Sequence, residues 1–574
     1  MVLQSLQQHS CIRECGQQFV KAGKAPERDY EDLCLGFTYM MKCARNCSPE
    51  AQEDMQREIG FKHHSSEHPV MLNVLFGICV MFLLSMFLRY LRATEDLPPA
   101  APKHIPFLGN ILSVDAKNVH KQFATWGKKL GPIFRLDANN GVNQVVLTGF
   151  ELIKQVLFKD GNKYALRPGA TTVVWNVPEE TEHCGLIDAN GEKWSDLRHC
   201  CQSAFKSILF DQEATFQAVF IDQTTKLIAW IQENLTEVGM TTMDPEKPMK
   251  FCVGNILSKA IAAADFQVGD KEFEKLIRRV HEIQFLNHSE GLCLASNFPI
   301  LQLFPGDSFN VHKYETLNKE LMEYFQGLVE AREAVFDPKN KKPSCLIDAF
   351  LKYKEDANTA SRKAHFSKGQ LLGTMGDIWV AGFDPTVSLL RWALLLLSQH
   401  DQVQIRVHEE IDSVIGNRHP SLDDRDKMPY TMATLNEIFR FGSVIDRTSF
   451  HISEEEVELG GYTLPAKTCI LPTIYSVHWD EDVFPEPDKF NPARFLDDQG
   501  ALKEVEELIP FGMGPRSCAG EQMARAMIFV ILISVLQAFE LMVDETRPEP
   551  TLDHQRGLTL VPPTYRVVVK KRNA

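Results

Sequence analysis

The chain has 574 residues, of which 44% are hydrophobic, and it carries a formal net charge of −15. This length and hydrophobic content allow a large buried core and exclude a single small domain. The negative charge, together with the lack of a basic stripe in the sequence, argues against nucleic acid as a partner.

Residues 1–69 are distinguished by their cysteines. They hold five of the chain's 14 cysteines, and four of these form two C-x-x-x-C pairs. Such spacing places the two thiols of a pair on one helical face. In an oxidising lumen the pairs could form disulfides across a helical hairpin, whereas zinc binding lacks the usual paired histidines. We assign residues 1–69 as a Cys-containing N-terminal extension of unknown role.

An uncharged apolar run occupies residues 70–88 and reads VMLNVLFGICVMFLLSMFL. Its length matches the roughly 17–25 residues that a transmembrane helix needs. Arg89 and Arg92 follow directly, which predicts that the chain beyond them is cytosolic. Met71 opens a stretch typical of a membrane-anchored N-terminus, so residues 1–70 are either a lineage-specific extension or the result of a mistaken upstream start.

A proline-rich stretch follows the apolar run at residues 97–110 and reads LPPAAPKHIPFLGN. Proline fixes φ and disfavours helix, so this stretch is predicted to be a stiff, extended hinge. Residues 111–574 then form one domain, mostly of amphipathic helices. Short strands are predicted in it, for example at Gln144–Leu147 and Tyr565–Val569.

One predicted helix is much longer than the others. Ser367 and Gln370 have the spacing of a capping box, and the apolar pattern continues from there to about Ser398. About 30 residues at 1.5 Å each span roughly 45 Å, so this helix is expected to cross the whole domain.

The most informative stretch is residues 511–520, which read FGMGPRSCAG. Cys518 ends a glycine-rich turn and is followed by a sequence of helical composition. A thiolate is the form of cysteine that binds metals, and a helix N-terminus favours it. Gly514 and Gly520 allow backbone N–H groups to approach the sulfur. An iron bound through one such cysteine is an electron-rich haem site.

This decapeptide resembles the haem-binding loop of cytochrome P-450 enzymes, F-x-x-G-x-R-x-C-x-G, at every fixed position. The resemblance covers about residues 97–574, and the stretch GPRSCAGEQMAR looks closest to microsomal animal enzymes that metabolise drugs and steroids. It implies a mostly α fold with a smaller β region (α+β), a long central helix over haem b, and Cys518 as the axial iron ligand.

The resemblance also implies a buried triad of charges. Glu437 and Arg440, in NEIFR, lie three residues apart on one helical face, and Arg494 lies in FNPARF. In the family such residues form a salt-bridged group that supports the cysteine loop, and a planar guanidinium suits that task because a buried charge must be paired.

Contacts to the haem are likewise implied by the resemblance. Trp194 and Arg198, in WSDLR, have helical spacing, and with His451 and Arg516 they match the residues that bind the haem propionates. Burying two carboxylates requires several polar donors. Phe511 is expected to pack near the sulfur and to control its surroundings.

The chain departs from the family in the long helix. Relatives read A-G-x-D/E-T-T, whereas residues 381–386 read AGFDPT, with Asp384 in the acid position and Pro385 in place of the first threonine. Thr386 lies about 100° further round the helix, so it replaces the lost hydroxyl only if a kink turns it inward. We predict Asp384 and Thr386 as catalytic, proton-relaying residues.

Three functions are consistent with this departure. The first is a monooxygenase in which Thr386, water or the substrate completes the proton path. The second is a haem-thiolate isomerase or dehydratase that does not use O2. The third is a non-enzymatic haem-binding protein, such as a carrier or sensor.

For the monooxygenase, the resemblance implies a lipophilic substrate such as a steroid, a fatty acid or a xenobiotic. Electrons are expected from NADPH through a separate cytochrome P-450 reductase, with cytochrome b5 as a further candidate donor, since the sequence has no dinucleotide-binding G-x-G-x-x-G unit. The expected location is the endoplasmic reticulum membrane, with a single pass and a cytosolic catalytic domain.

Overall fold

A computed structural model divides the chain into two units, Met1–Ala93 and Thr94–Ala574. It describes residues 97–572, except for 103–109, 111–112, 138–142, 169–183, 208–212, 268–269, 288, 290, 293–294, 296–305, 340 and 558. The predicted extension at 1–69 and the predicted membrane helix at 70–88 therefore lie outside the described residues. Of the predicted hinge, residues 97–102 and 110 are described.

The described part is mostly helical, as the sequence predicts. Its α-helices, numbered in chain order, are α1 (Val119–Leu130), α2 (Phe150–Lys154), α3 (Gly191–Lys206), α4 (Glu213–Glu233), α5 (Glu246–Ala262), α6 (Lys271–Asn287), α7 (Val311–Glu333), α8 (Leu346–Asp356), α9 (Ala360–Ala364), α10 (Lys368–Gln399), α11 (Asp401–Glu410), α12 (Pro429–Gly442), α13 (Tyr475–His478) and α14 (Glu521–Ala538). Short π- or 3₁₀-helical segments occur at Gln155–Lys159, Ile411–Ile415, Leu422–Lys427 and Pro492–Phe495.

The strands are short and form a smaller β region. They are β1 (Ile133–Asp137), β2 (Asn143–Leu147), β3 (Met240–Met243), β4 (Val457–Leu459), β5 (Tyr462–Leu464), β6 (Cys469–Pro472), β7 (Phe539–Val543), β8 (Gln555–Arg556), β9 (Leu560–Val561) and β10 (Val567–Lys571). One sheet has the order β1-β2-β6, in which β2 pairs with β6 in parallel, and another has the order β3-β10-β7, entirely antiparallel. β4 with β5, and β8 with β9, form antiparallel pairs.

The two strands predicted as examples are both present. β2 contains all of the first, Gln144–Leu147, but β10 begins at Val567, so the predicted start at Tyr565 is wrong by two residues. The reason is that both partner strands end opposite Val567, at Met243 of β3 and Val543 of β7, so Tyr565 has no strand to pair with.

The long helix is confirmed as α10. The Ser367 hydroxyl accepts a hydrogen bond from the Gln370 N–H at 3.1 Å, and the helix then continues without a break through Pro385 to Gln399. Its 32 residues span about 48 Å. It packs against α5, α6, α12, α14 and β7, and most of its side chains are buried, so it forms the axis of the main hydrophobic core.

Two described helices, α10 and α14, are long and apolar enough to cross a membrane. Most of each helix is buried inside the domain, because both contribute side chains to the main core. Their composition therefore reflects burial against protein.

Several buried histidines lie in this domain without charge. Burial lowers the pKa of His478 and of His554 to about 3, and that of His120 to about 4. His120 contacts Tyr475 edge to face at 4.7 Å, and neither of its ring nitrogens has a hydrogen-bond partner in the described part of the chain. Each ring must therefore be neutral in the folded state.

We expect the folded domain to lose stability as the pH falls below about 6.5. The unfolded chain then binds protons at these histidines that the folded chain cannot bind until a pH near 3 to 4. Each histidine should cost about 1.4 kcal/mol per pH unit in that window. Urea unfolding at pH 7.5, 6.5 and 5.5 measures this dependence.

The variant His120→Phe should unfold at higher urea than the unmodified protein at pH 5.5, because phenylalanine keeps the edge-to-face contact and removes a proton-binding group. The control is His312→Phe at an exposed site, which should keep the original pH dependence. Equal pH slopes in His120→Phe and the unmodified protein would contradict the assignment of His120.

Candidate active site

The cysteine loop that leads into α14 is a tight turn closed by backbone hydrogen bonds. The Cys518 N–H donates to the Phe511 carbonyl at 2.9 Å, and the Ser517 N–H donates to the Gly514 carbonyl at 3.1 Å. Gly512 and Gly514 both have positive φ, at 68° and 73°. The loop therefore folds back so that Cys518 directly precedes the first turn of α14.

Gly514 also lies against a neighbouring segment. A β-carbon on Gly514 would lie 1.7 Å from the Leu157 carbonyl oxygen, whereas one on Gly512 would have no atom within 4 Å. Gly520 differs from both, because its φ is −101° and a β-carbon there would meet nothing. The contribution of Gly520 is its N–H, which hydrogen-bonds the sulfur of Cys518.

Cys518 lies deep among protein atoms, yet one side of its side chain is open. Burial raises the pKa of the Cys518 thiol above its ordinary value. The Gly520 N–H and the guanidiniums of Arg198 and Arg525 oppose this effect without outweighing it. The Gly520 N–H at the start of α14 therefore favours the thiolate, and a bound cation would stabilise it further.

Aromatic and cationic groups surround the start of the loop. The Phe511 ring meets Phe439 edge to face at 5.3 Å, and the Arg525 guanidinium lies 4.8 Å from the Phe511 ring and 4.9 Å from the Phe439 ring. Phe511 is thus held between α12 and α14, close to the cysteine.

Glu437 and Arg440, on α12, form a fully buried ion pair. Arg440 Nε and Nη2 donate to the two carboxylate oxygens of Glu437 at 2.7 and 2.8 Å, and both side chains have no exposed surface. Arg494 Nε donates to Glu437 Oε1 at 3.3 Å, as does the Asn491 N–H at 2.9 Å. The structure thus brings together the three charged residues that the sequence suggested.

A buried histidine connects this ion pair to the cysteine loop. Arg440 Nη1 donates to the His478 carbonyl at 3.0 Å, and His478 Nε2 accepts from the Ile509 N–H at 3.1 Å, two residues before Phe511. Since Nε2 accepts, the proton of the neutral ring lies on Nδ1, which donates to the Ser443 hydroxyl at 3.1 Å.

The predicted propionate-binding residues form a second group beside the loop. The Arg516 guanidinium stacks on the Trp194 ring at 4.1 Å, and that of Arg198 lies 5.7 Å from the same ring. Arg198 Nη2 also donates to the Ser517 hydroxyl at 3.3 Å. α3 therefore holds two cationic groups next to Cys518.

Arg167 joins this group, although our sequence reasoning missed it. The Asn190 amide oxygen accepts from the Arg167 N–H at 2.8 Å and from Arg516 Nη2 at 3.1 Å, so the two arginines share one anchor. Arg167 Nη1 donates to the Phe450 carbonyl at 2.6 Å, beside His451. The only sequence signal was a lone arginine before Pro168, which is too common to single out.

His451 is buried and neutral within the same group. Burial, then the charge of Arg167, lowers its pKa well below the ordinary value. Its Nδ1 donates to the Tyr164 carbonyl at 2.9 Å, which leaves Nε2 as an acceptor. His451 can donate to a carboxylate through Nε2 only after it takes up a proton.

The predicted proton-relaying residues lie on α10. Asp384 Oδ2 accepts a hydrogen bond from the Thr559 hydroxyl at 2.6 Å, and burial raises the pKa of Asp384. Thr386 is buried one residue beyond Pro385. In the described part of the chain, neither side chain hydrogen-bonds to Cys518 or to Arg167, Arg198 and Arg516.

Comparison with known proteins identifies the family. The family model described as Cytochrome P450 matches residues 99–569. The chain belongs to the cytochrome P450 family. Human cytochrome P450 2C8 is 30% identical over 499 residues, which cover 86% of this chain and 98% of the relative. Rabbit cytochrome P450 2C3 is 31% identical over 503 residues, with 86% and 99% covered, and mouse cytochrome P450 2U1 is 29% identical over 472 residues, with 81% and 86% covered.

As a cytochrome P450 monooxygenase, this chain requires haem, and its charges fit that group. Burial, then Arg167 and Arg198, lowers the pKa of Arg516 to about 9, and burial lowers that of Arg167 to about 10. The Asp188 carboxylate acts to raise the pKa of both arginines but does not restore either pKa to its ordinary value. A buried excess of positive charge beside an open-sided cysteine suits a ligand with one iron and two carboxylates.

The variant Gly514→Ala should lose both stability and haem. Gly512 and Gly514 both have positive φ, which costs an alanine about 1 kcal/mol of stability at either position. Only at Gly514 would the β-carbon also collide with a backbone carbonyl. Gly512→Ala is therefore the matched control. Haem content and urea midpoints measure the difference, and equal losses in the two variants would contradict the role of the Leu157 contact.

The variants Arg516→Gln and Arg167→Gln should each release haem about ten-fold faster to apomyoglobin, because each removes a charged donor to the propionates. Arg547→Gln, at a largely exposed position, should release haem at the original rate. The measurement is the Soret change during haem transfer, and unchanged rates in both buried variants would refute this placement of the propionates.

Proposed function

We propose that this monooxygenase inserts one atom of O2 into a lipophilic small molecule, of which a steroid, a fatty acid and a xenobiotic are candidates. The observation that carries the proposal is the open-sided Cys518 beside the arginine group of Arg167, Arg198 and Arg516. The similarity to cytochromes P450 2C8 and 2C3 over nearly their full lengths supports the same kind of enzyme.

Each residue has a proposed role. Cys518 is the axial ligand of the iron in haem b (iron-protoporphyrin IX), and Trp194, Arg198, His451 and Arg516 bind the propionates together with Arg167. Phe511 shields the sulfur, while Gly514 and Gly520 shape the loop around it. The buried triad of Glu437, Arg440 and Arg494 fixes the backbone that carries the loop. When bound, the haem supplies the activation of dioxygen.

Other residues of the chain supply protons and surround the substrate. Asp384 is the first candidate for proton supply, since burial raises the pKa of its carboxyl and the Thr559 hydroxyl pairs it. Thr386 is the second candidate for proton supply. The apolar surroundings of α10 exclude water, which favours a lipophilic substrate.

Electrons come from NADPH through a separate membrane-bound reductase, with cytochrome b5 as a further donor. Phe158 is 62% exposed, and its neighbour Leu157 touches the cysteine loop at Gly514. An exposed aromatic ring at this position suits a partner that must approach Cys518 closely.

The enzyme is placed at the endoplasmic reticulum membrane. The uncharged run at 70–88 serves as a single-pass anchor, the proline-rich stretch at 97–110 serves as the hinge, and residues 111–574 form the cytosolic catalytic domain. Residues 1–69 remain an extension without an assigned role.

The reduced, carbon-monoxide-bound absorption spectrum tests the haem ligand. The protein should give the red-shifted Soret band of a thiolate-bound iron, and Cys518→Ser should lose that band. The control Cys345→Ser changes a buried cysteine of the α7–α8 connection and should keep it. An unchanged band in Cys518→Ser would refute the ligand assignment.

Oxygen use tests the reaction. With reductase and NADPH, a panel of steroids, fatty acids and xenobiotics should stimulate oxygen consumption and yield an oxygenated product. A thiolate-type band without any NADPH oxidation would contradict the monooxygenase mechanism and favour chemistry without O2.

A further inference from the structure

The carboxylate of Asp384 is bound by a residue from a distant part of the chain. The Thr559 hydroxyl, on the short link between β8 and β9, donates to Asp384 Oδ2 at 2.6 Å. In the described part of the chain it is the one hydrogen-bond partner of this carboxylate. Thr559 is 2% exposed, so its side chain is held inside the domain.

A second hydroxyl extends this contact. The Ser388 hydroxyl lies 3.0 Å from that of Thr559, and both are buried. Ser388 lies one helical turn after Asp384, so the two residues share a face of α10. One turn further, Trp392 Nε1 donates to the Leu560 carbonyl at 3.1 Å, which anchors the β8–β9 pair against the same face.

Pro385 explains why this arrangement matters. The position directly after Asp384 bears a residue with neither hydroxyl nor N–H, so α10 itself supplies no alcohol there. We propose that Thr559 is a positioning residue: from the β8–β9 link it gives Asp384 a hydroxyl partner, on a helix that carries no alcohol at position 385. This inference rests on the proposed function of Asp384 as the proton-holding group.

The hydroxyl can pair Asp384 in both of its protonation states. When Asp384 is ionised, Thr559 donates to it and can accept from Ser388. When Asp384 is protonated, its O–H can donate to Thr559, whose own O–H turns toward Ser388. Asp384 therefore gains or loses a proton without leaving Thr559 or itself unpaired, which lowers the cost of the exchange.

Other charged groups also face Asp384. After burial, which raises its pKa, the largest influence is the Thr559 hydrogen bond, which lowers it. His281 on α6, Lys250 on α5 and Arg391 on α10 act in the same direction as Thr559, and Glu246 pairs with Arg391 at 3.1 Å. Removal of the hydroxyl should therefore raise the pKa of Asp384 even though these cations remain.

The first test is an infrared titration of the ferric holoenzyme. The carboxyl band that Asp384→Asn removes reports the ionisation of Asp384. Thr559→Val should shift its midpoint to higher pH, and Thr559→Ser should restore it. The control is Thr374→Val, which removes a buried hydroxyl that lies on α10 and has no partner among the described residues. This variant should leave the midpoint unchanged.

If Thr559→Val does not load haem, Thr559→Ala serves in its place, and it should shift the midpoint to higher pH in the same way. An unshifted midpoint in either folded variant overturns the inference. This readout needs no turnover, so it holds whether or not the enzyme consumes oxygen. Failure of the proposed function would instead appear in the unmodified protein, as a missing thiolate-type band or as no use of NADPH.

The second test uses coupling of NADPH to product. Thr559→Val should raise the ratio of hydrogen peroxide to product about ten-fold, the effect expected for loss of one hydrogen bond to a charged group. Pro385→Thr should shrink that effect in the double variant, because α10 then carries its own hydroxyl. An equal effect of Thr559→Val with and without Pro385→Thr would show that Thr559 does not compensate for Pro385.

Discussion

The arrangement of the proximal side depends on one fully buried carboxylate. Glu437 is removed from water, so its charge must be paired, and it is met by Arg440, Arg494 and the backbone of Asn491. Arg440 then binds the carbonyl of His478, whose ring holds the segment that leads into the cysteine loop. The position of Cys518 thus follows from the need to satisfy a charge on α12.

The proposed haem pocket shows the opposite electrostatic situation. There burial, and then the guanidiniums of Arg167 and Arg198, lower the pKa of Arg516, with Asp188 as an opposing carboxylate. The fold tolerates this repulsion through carbonyl acceptors and the Trp194 ring. Such a pocket is preorganised for an anionic ligand, because the cost of gathering the cations is met during folding.

The long helix α10 has no alcohol directly after its acid, and a hydroxyl from another segment contacts that acid. Pro385 removes the alcohol that the family places after its acid, and α10 nevertheless runs through this position as one helix. The β8–β9 link supplies Thr559, so the acid's environment depends on a segment that packs against α10 from 175 residues away. The proposed proton supply thereby depends on the same two short strands.

The sequence by itself determined the local features: the capped long helix, the predominance of helix, and the spacings of the cysteine loop and of Glu437 with Arg440. These depend on neighbouring residues along the chain, where periodicity and turn chemistry act directly. Only the tertiary structure decided the partners of Arg167, the start of β10 at Val567, and the contact of Thr559 with Asp384. Such contacts join residues from 23 to 283 positions apart, and no local pattern encodes which buried polar group will satisfy another.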